Sequence, residues 1–236
     1  LGKKYNKRTL FRMRQFYNMI EIQKVSPVAT QLTWSHYCEL LPLKDINEIN
    51  YYIKITIEQC LSKRQLREKI KNKEYQRLDD KTKLKLINKE TIDIKDNIKN
   101  PIIIKNKLDI DKETVSEKIL QRLILEDIPS FLEELGTGYS FIKNEYKIKL
   151  GERYNYIDLL LFNIEYNCYV VVELKVTELK KEHIGQIQIY MNYIDNSLRK
   201  LTQDKTIGLI ICKKDNKYVI EYSSDKRILS REYELI

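Results

Sequence analysis

The sequence predicts an α/β protein in two parts, an all-α domain at the amino end and a second domain built on a mixed β-sheet. Residues 1–89 show the spacing of amphipathic helices and carry 20 Lys and Arg against 9 Asp and Glu, whereas the remainder carries 23 against 25. In the second part, helical patterns flank two short apolar segments separated by turn-forming residues, which predicts a β-hairpin between helices. The predicted organisation is a basic helical domain at 1–90, a linker at 91–112 and an α/β sandwich at 113–236.

The composition limits the classes of protein to consider. The 236 residues are 42% hydrophobic, which is enough for a buried core. No apolar run approaches the roughly 18 residues of a membrane span, and there is no signal-peptide pattern, so neither a membrane protein nor a secreted one is expected. Four cysteines without metal-site spacing, Cys38, Cys60, Cys168 and Cys212, predict reduced thiols in a cytoplasmic protein. Because the chain begins at Leu1 rather than Met, the sequence leaves open whether further residues precede it.

The first predicted helix begins at Thr9, whose side chain can cap it, and continues to about Ile22. Apolar residues recur along it at intervals of three and four, and Arg12 and Arg14 lie mainly off that apolar face. Pro27 is expected to end the region. This helix therefore contributes basic side chains to the amino-terminal surface.

Three further helices are predicted between residues 33 and 71. A short one contains Trp34 and His36, which are interpreted as a core residue and a cap residue. Asp45 can cap the second helix, and Ser62 can cap the third, in which Leu66 faces inward.

The last of these helices is a candidate for DNA contact. Arg and Gln in the first turns of a helix suit a major groove, and the layout is similar to the helix-turn-helix of ParB-type partition proteins. The basic excess of this part also favours an anionic polymer as partner. A solvated helical domain or a protein-docking platform is the alternative. The predicted nucleic-acid contacts are Lys63, Arg64, Gln65 and Arg67, together with Arg12 and Arg14 of the first helix.

Residues 91–112 show little periodicity, and Pro101 interrupts any helix there, so this stretch is predicted to be a linker. A helix is then expected after a cap at Thr114 or Ser116. A second helical piece, Ser130–Leu135, should end at Gly136.

The centre of the second domain is the predicted hairpin, preceded by one more strand. Alternation places Glu173 and Lys175 on one face of the second hairpin strand. In the first hairpin strand it places Ile157 and Leu159 on one face and Asp158 on the other. The three predicted strands are Tyr139–Leu150, Tyr154–Phe162 and Cys168–Val176.

Asp158, Glu173 and Lys175 are ionisable residues in otherwise apolar strands. Burying an unpaired charge is unfavourable, so these residues need partners or a task. An acid on one strand, with an acid and a lysine two residues apart on the next, is the pattern that binds a divalent metal beside a phosphate. The alternative is a Glu–Lys pair on the wet face of an edge strand, with Asp158 at the surface.

A helix at 181–195 is predicted to follow, and it carries Gln186 and Tyr190 on one face because they are separated by four residues. Strands at 206–212 and 218–222 are then expected to complete the sheet.

These residues also carry a family resemblance, which covers nearly the whole chain. Ile157-Asp158 followed by Glu173-Leu174-Lys175 resembles the motif of the PD-(D/E)XK nuclease superfamily, with isoleucine where the motif has proline. Gln186 and Tyr190 are similar to the Gln-x-x-x-Tyr motif of several of its branches. The surrounding segments 131–136 and 206–212 resemble the YhcG-type family of these proteins.

The resemblance implies a restriction-endonuclease-like mixed-sheet core and a nuclease that uses Mg²⁺, with Mn²⁺ as an alternative and no small-molecule cofactor. The implied metal ligands are the carboxylates of Asp158 and Glu173 and the backbone carbonyl of Leu174. Lys175 is implied to orient the attacking water, and Gln186 and Tyr190 to position substrate or the lysine. Glu117 is the candidate for an acid that the superfamily often has on the first helix, but a solvent-facing glutamate is the preferred interpretation.

Three functions are compatible with the sequence. The leading hypothesis is a metal-dependent DNA nuclease delivered by its basic helical domain. The alternative is a catalytically silent nucleic-acid-binding or adaptor protein, which the intact Asp, Glu and Lys disfavour. A ribonuclease is the third, although no aromatic RNA-stacking motif favours it. A homo-oligomer is compatible with the sequence.

Overall fold

The computed structural model describes residues 6–21 and 32–236 and divides into two compact units between Thr91 and Ile92. No helix within the described residues is long and apolar enough to cross a membrane. The first unit contains helices α1 (Lys7–Glu21), α2 (Trp34–Leu40), α3 (Ile46–Glu58), α4 (Lys63–Lys71) and α5 (Asp80–Asn88). The second contains α6 (Ile94–Asn97), β1 (Ile102–Ile104), α7 (Glu117–Glu126), α8 (Ile128–Leu135), β2 (Tyr139–Leu150), β3 (Arg153–Asn163), β4 (Cys168–Glu178), α9 (Lys181–Ser197), β5 (Ile207–Lys214), α10 (Lys217–Glu221) and β6 (Ile228–Leu235).

Side-chain caps set the starts of the helices in the first unit. Asp45 Oδ1 accepts a hydrogen bond from the Asn47 amide at 2.8 Å, and Ser62 forms a reciprocal capping box with Gln65 at the start of α4. Leu66 is fully buried in this unit's core. The predicted caps at Asp45 and Ser62 and the inward position of Leu66 are therefore confirmed.

Two predictions for this unit are wrong. Asn6 rather than Thr9 caps α1, since its Oδ1 accepts from the Thr9 amide at 2.9 Å and the helix begins at Lys7. Trp34 is 41% exposed and not a core residue, because it occupies the first position of α2 and contacts Phe16 edge-on. His36 is the cap residue expected, with Nδ1 accepting from the Thr33 amide. The predicted helix end near residue 22 and Pro27 lie outside the described residues.

The second unit is a six-stranded mixed sheet in the order β1-β6-β5-β4-β3-β2. β2, β3 and β4 are antiparallel neighbours, and β4, β5, β6 and β1 are parallel neighbours. Helices α7 and α8 pack on one face of the sheet, and α9 packs on the other. Each sheet face therefore has its own apolar core, which is the α/β sandwich that the sequence predicts.

The stretch predicted as a linker contributes to the core of the second unit. Ile94, Ile98, Ile102 and Ile104 are all 3% exposed or less, and β1 pairs in parallel with β6. The linker prediction at 91–112 is therefore wrong for these residues. A three-residue edge strand is too short to show a period along the sequence, and its partner lies far away near the carboxyl end of the chain.

The last predicted strand is also wrong. Residues 217–221 form α10, and the strand that completes the sheet is β6. Because β5 and β6 are parallel, the chain must return to the other end of the sheet between them, which a tight hairpin cannot do. Residues 215–227 form that connection.

Loss of the Ile102 side chain distinguishes a core strand from a linker. Ile102→Ala is expected to lower the free energy of unfolding of the second unit by about 2–5 kcal/mol, because the residue is fully buried. Urea unfolding followed by circular dichroism measures the change. Ile142→Ala, at a site 42% exposed in the same unit, is the control and should cost far less. Equal effects of the two variants would contradict the placement of β1 in the core.

Candidate active site

The site is built where β3 and β4 stop pairing with each other. The backbone pairing of these two strands runs from Asn163↔Cys168 to Leu159↔Val172. Beyond it, the next amide of β4 that faces β3 donates to a side chain instead. Asp158 Oδ2 accepts from the Leu174 amide at 2.7 Å. We call this point, Asp158 facing Leu174, the β3–β4 fork. A carboxylate therefore replaces the backbone pairing that would otherwise continue the sheet.

The side chains of β3 switch from one sheet face to the other at the fork. Ile157 packs with Leu160 in the core beneath α9, whereas Leu159 belongs to the core beneath α7 and α8. The prediction that Ile157 and Leu159 share a face is therefore wrong. Strict alternation assumes a regular strand, whereas Asp158 lies between the pairs Asn144↔Leu159 and Tyr146↔Ile157, opposite Glu145, whose φ is +46°.

Glu173 is a buried carboxylate with an incomplete set of partners. It is 1% exposed, and its Oε2 lies 3.4 Å from Lys175 Nζ. Its Oε1 is buried and has no hydrogen-bond partner among the described residues. Burial, and then the neighbouring charge of Asp158, raise the pKa of Glu173 to about 8. A buried carboxylate in this state is stabilised by an additional cation.

Asp158 has the same electrostatic character. Burial raises its pKa despite the opposing effects of the Leu174 amide and of Lys175. The charges of Glu117 and Glu145 raise it further. Two nearby carboxylates, each of them destabilised as an anion, suit a divalent cation with hard oxygen ligands.

Lys175 is held between two carboxylates. Its Nζ lies 3.4 Å from Glu173 Oε2 and 3.6 Å from Glu117 Oε2. Burial lowers the pKa of Lys175, but Glu173, Glu117 and Asp158 together raise it above its usual value. The lysine is therefore an ammonium group in the folded protein.

Glu117 belongs to this site by contact, although its side chain is 46% exposed. The sequence favoured a solvent-facing glutamate. In the first turn of α7, Glu117 is both partly exposed and in contact with Lys175. Within the described part of the chain, no three or more His, Cys, Asp and Glu side chains are arranged to hold a metal ion. The assignment of the Asp158 and Glu173 carboxylates as metal ligands therefore stays a prediction. The carbonyl ligand assigned to Leu174 stays a prediction.

Gln186 and Tyr190 contact each other on α9. Gln186 Nε2 donates to the Tyr190 hydroxyl at 3.0 Å, and the ring of Tyr190 is 5% exposed. Burial raises the pKa of Tyr190, and the charges of Glu173 and Asp158 raise it further. The pair thus lies within electrostatic range of the fork, and its role in positioning stays a prediction.

Sequence reasoning missed two residues at this site. Gln121 is buried on α7 and donates from Nε2 to the Asp158 carbonyl at 3.0 Å, which fixes the backbone at the fork. It lies four residues after Glu117, on the same side of the helix, and that spacing could have revealed it. His183 is half-buried on α9, where burial and then the charge of Lys175 lower its pKa.

The predicted nucleic-acid contacts on α4 are exposed, but two of them already have an anionic partner. Arg67 donates from Nε and Nη2 to both carboxylate oxygens of Glu39, at 2.9 and 2.8 Å. Lys63 Nζ lies 3.6 Å from the same carboxylate. Arg67 therefore ties α4 to α2. Gln65 completes the Ser62 capping box.

Arg64 of α4 and Arg14 of α1 are exposed, and Arg12 of α1 is partly buried. Among the three basic residues predicted to contact nucleic acid from α4, Lys63 and Arg67 pair with Glu39, and Arg64 does not.

An acid on one strand, a Glu-x-Lys on its neighbour and a mixed sheet between helices define the PD-(D/E)XK class of nuclease. Residues 95–236 match the YhcG PDDEXK nuclease domain, and residues 1–77 match the DUF1016 N-terminal domain. The chain therefore belongs to the YhcG PDDEXK nuclease domain family, which confirms the resemblance seen in the sequence. PDDEXK nucleases generally use divalent metal ions.

Known proteins resemble the chain at low sequence identity. "Putative nuclease YhcG" of Escherichia coli (strain K12) is 24% identical over 220 residues, which cover 90% of this chain and 59% of the relative. A repair endonuclease from Pyrococcus abyssi covers 52% of this chain and 47% of its own, at 16% identity and a TM-score of 0.35. An EndoMS–double-stranded DNA complex covers 51% and 44%, at 18% identity and a TM-score of 0.36. The family assignment does not depend on these two partial superpositions.

The raised pKa of Glu173 predicts a pH-dependent stability for the metal-free protein. An unfolded glutamate titrates near 4.5 and the folded one at about 8, so unfolding releases a proton between these values. Stability should therefore fall as the pH rises through that window. Glu173→Gln removes this penalty and is expected to raise the free energy of unfolding at pH 8 by on the order of 1–3 kcal/mol.

Urea unfolding in EDTA at pH 5 and at pH 8 measures the effect, which should be small at the lower pH. Glu152→Gln, at the exposed turn after β2, is the control and should behave as the wild type does. A variant less stable than the wild type at pH 8 would contradict a destabilised Glu173 carboxylate.

Proposed function

We propose that the protein is a Mg²⁺-dependent nuclease that hydrolyses phosphodiester bonds in DNA, with Mn²⁺ as an alternative metal. The observation that carries the proposal is the buried Glu173 carboxylate, whose Oε1 has no hydrogen-bond partner among the described residues, beside Asp158 and the Lys175 ammonium. Such a carboxylate is stable only when protonated or when a cation binds. The family of the domain makes a divalent cation the preferred explanation.

Asp158 and Glu173 would hold the metal, since both present destabilised carboxylates at the fork. A divalent ion bound there supplies Lewis acidity at the phosphodiester and lowers the pKa of water. The Leu174 amide and the Gln121 amide fix the position of Asp158 from two directions. Of the two carboxylates, that of Asp158 is held by the Leu174 amide and that of Glu173 lies in the buried interior.

Lys175 would orient the attacking water and offset the negative charge that develops on the phosphate. Its raised pKa favours the ammonium form, which supports an electrostatic role rather than that of a neutral general base. Glu117 keeps the ammonium beside the fork through the 3.6 Å contact with Nζ. Gln186 and Tyr190 would position the substrate or the lysine from the α9 side.

The first unit would contribute DNA binding through its basic helices. Arg64 and Arg14 are exposed, and Arg12 is partly so. The ion pairs with Glu39 neutralise part of the positive charge of α4 and stabilise the helical unit. Phosphate contacts by the remaining arginines would make binding sensitive to salt.

A catalytically silent DNA-binding or adaptor protein is the second candidate. The observation that favours it is the Glu117–Lys175–Glu173 network, which could be a structural ion cluster. A structural cluster would leave Glu173 Oε1 without a role, so the nuclease is preferred.

Separate loss of the lysine and of the aspartate tests the assigned roles. Lys175→Ala is expected to lower DNA cleavage by at least about a hundredfold and to retain Mn²⁺ binding, because both carboxylates remain. Asp158→Ala is expected to lose cleavage and to weaken metal binding. Calorimetric titration with Mn²⁺, run in parallel with cleavage of supercoiled DNA in Mg²⁺ or EDTA, measures both properties.

Full cleavage by the Lys175 variant would remove the lysine from the mechanism. Absence of cleavage by the wild type on supercoiled, linear and single-stranded DNA, with metal binding intact, would favour the adaptor. Lys214→Ala, an exposed lysine at the end of β5, is the matched control and should cut normally.

Arg64 tests the DNA-binding role of the first unit. Arg64→Ala with Arg14→Ala is expected to weaken binding of duplex DNA severalfold at low salt and to reduce the salt dependence, because phosphate contacts are lost. Fluorescence anisotropy at several salt concentrations measures both. Arg67→Ala is the comparison, since it also removes the contact with Glu39 and should loosen the fold. Unchanged affinity of the double variant would assign the basic surface to another partner.

A further inference from the structure

The hairpin of β2 and β3 extends past the fork as a two-stranded ribbon. β3 pairs with β4 only from Leu159 onward, whereas it pairs with β2 as far as Leu150↔Arg153. One face of the ribbon is anchored, since Ile148 and Ile157 are buried in the core beneath α9. The other face has no such cover.

That other face carries two lysines and two tyrosines on the strand segments outside the fork. Lys147 is paired with Tyr156 and Lys149 with Tyr154 across the two strands, and cross-strand partners share a face. All four side chains are exposed, the tyrosines by 54% and 52%. We call this set the basic–aromatic face. Tyr156 is two residues before Asp158, so the face lies on the part of β3 that continues into the fork.

On this face, one lysine ammonium lies over a tyrosine ring. Lys147 Nζ lies 3.8 Å from the centroid of the Tyr154 ring, which holds the ring and the ammonium together. Exposed tyrosines flanked by lysines combine a stacking surface with phosphate attraction. The fork brings the carboxyl groups of Asp158, Glu173 and Glu117 together with a single ammonium, Lys175, so the lysines of the face add positive charge for the approach of a nucleic acid.

We propose that the basic–aromatic face binds single-stranded DNA and guides an unpaired strand to the fork, an inference that rests on the proposed function. The two rings would stack on unpaired bases, and Lys147 and Lys149 would contact the phosphates between them. Duplex DNA is the less suitable ligand, because its base faces are buried in the stack and only the lysines could contribute. The substrate class is therefore DNA with an unpaired segment.

The test compares single-stranded and duplex binding by the full chain. The probes are a fluorescein-labelled oligothymidylate of about 20 nucleotides and a blunt duplex of about the same length, with anisotropy measured in EDTA at low salt. Tyr154→Ala with Tyr156→Ala is expected to weaken single-strand binding at least about tenfold and duplex binding less than about threefold. Tyr154→Phe with Tyr156→Phe keeps both rings and should bind as the wild type does.

A matched control lies on the far side of the sheet. Tyr218 and Tyr222 are more exposed than the ribbon tyrosines and lie on or beside α10, which packs near β6. Tyr218→Ala with Tyr222→Ala should leave single-strand binding unchanged. Circular dichroism verifies that each variant folds.

Several outcomes would overturn the proposal. An equal loss on single-stranded and duplex probes would reduce the face to a general electrostatic surface. A loss confined to an oligouridylate probe would assign it to RNA, and a loss in the phenylalanine variant would exclude stacking. If the wild type cuts duplex and single-stranded DNA but the alanine variant cuts single strands equally well, the inference fails while the nuclease stands. If the wild type cuts neither, the proposed function fails, and the binding comparison still tests the face.

Discussion

The site depends on one hydrogen bond, from the Leu174 amide to the Asp158 carboxylate. It stands where backbone pairing between β3 and β4 would otherwise continue, and it separates the two strands without leaving that amide unpaired. The separation lets the outer part of the β2–β3 hairpin extend as a ribbon. On either side of Asp158, Ile157 and Leu159 lie in different apolar cores, so apolar side chains cover both sheet faces at the fork.

The electrostatics of the fork follow from burial. Asp158 and Glu173 are withdrawn from water, and their pKa values rise because the apolar core disfavours their anions. Lys175 compensates part of this cost and stays charged, since Glu117 supports it from the other side. The arrangement therefore lowers the stability of the metal-free protein and, under the proposed function, favours the binding of a cation. This is the pattern expected where a fold keeps carboxylates ready for a ligand.

The two units use charge differently. In the first unit, Arg67 and Lys63 surround the mostly buried side chain of Glu39, so part of the basic excess of the sequence stabilises the helical fold. In the second unit, Lys147 and Lys149 stand on an exposed face beside tyrosines, where no carboxylate is paired with them among the described contacts. Net charge along the sequence therefore does not identify which lysines and arginines remain available to a nucleic acid.

Sequence alone determined the hairpin, the helices around it, the caps at Asp45 and Ser62, and the identity of Asp158, Glu173 and Lys175 as charged residues in apolar strands. These features are local, since periodicity, capping and the cost of a buried charge are properties of neighbouring residues. Tertiary structure decided the pairing of β1 with β6, the contact of Glu117 with Lys175, the support of Asp158 by Gln121 and the compensation of Arg67 by Glu39. Each of these joins residues from separate elements, and local periodicity does not specify which distant group a side chain contacts in the fold.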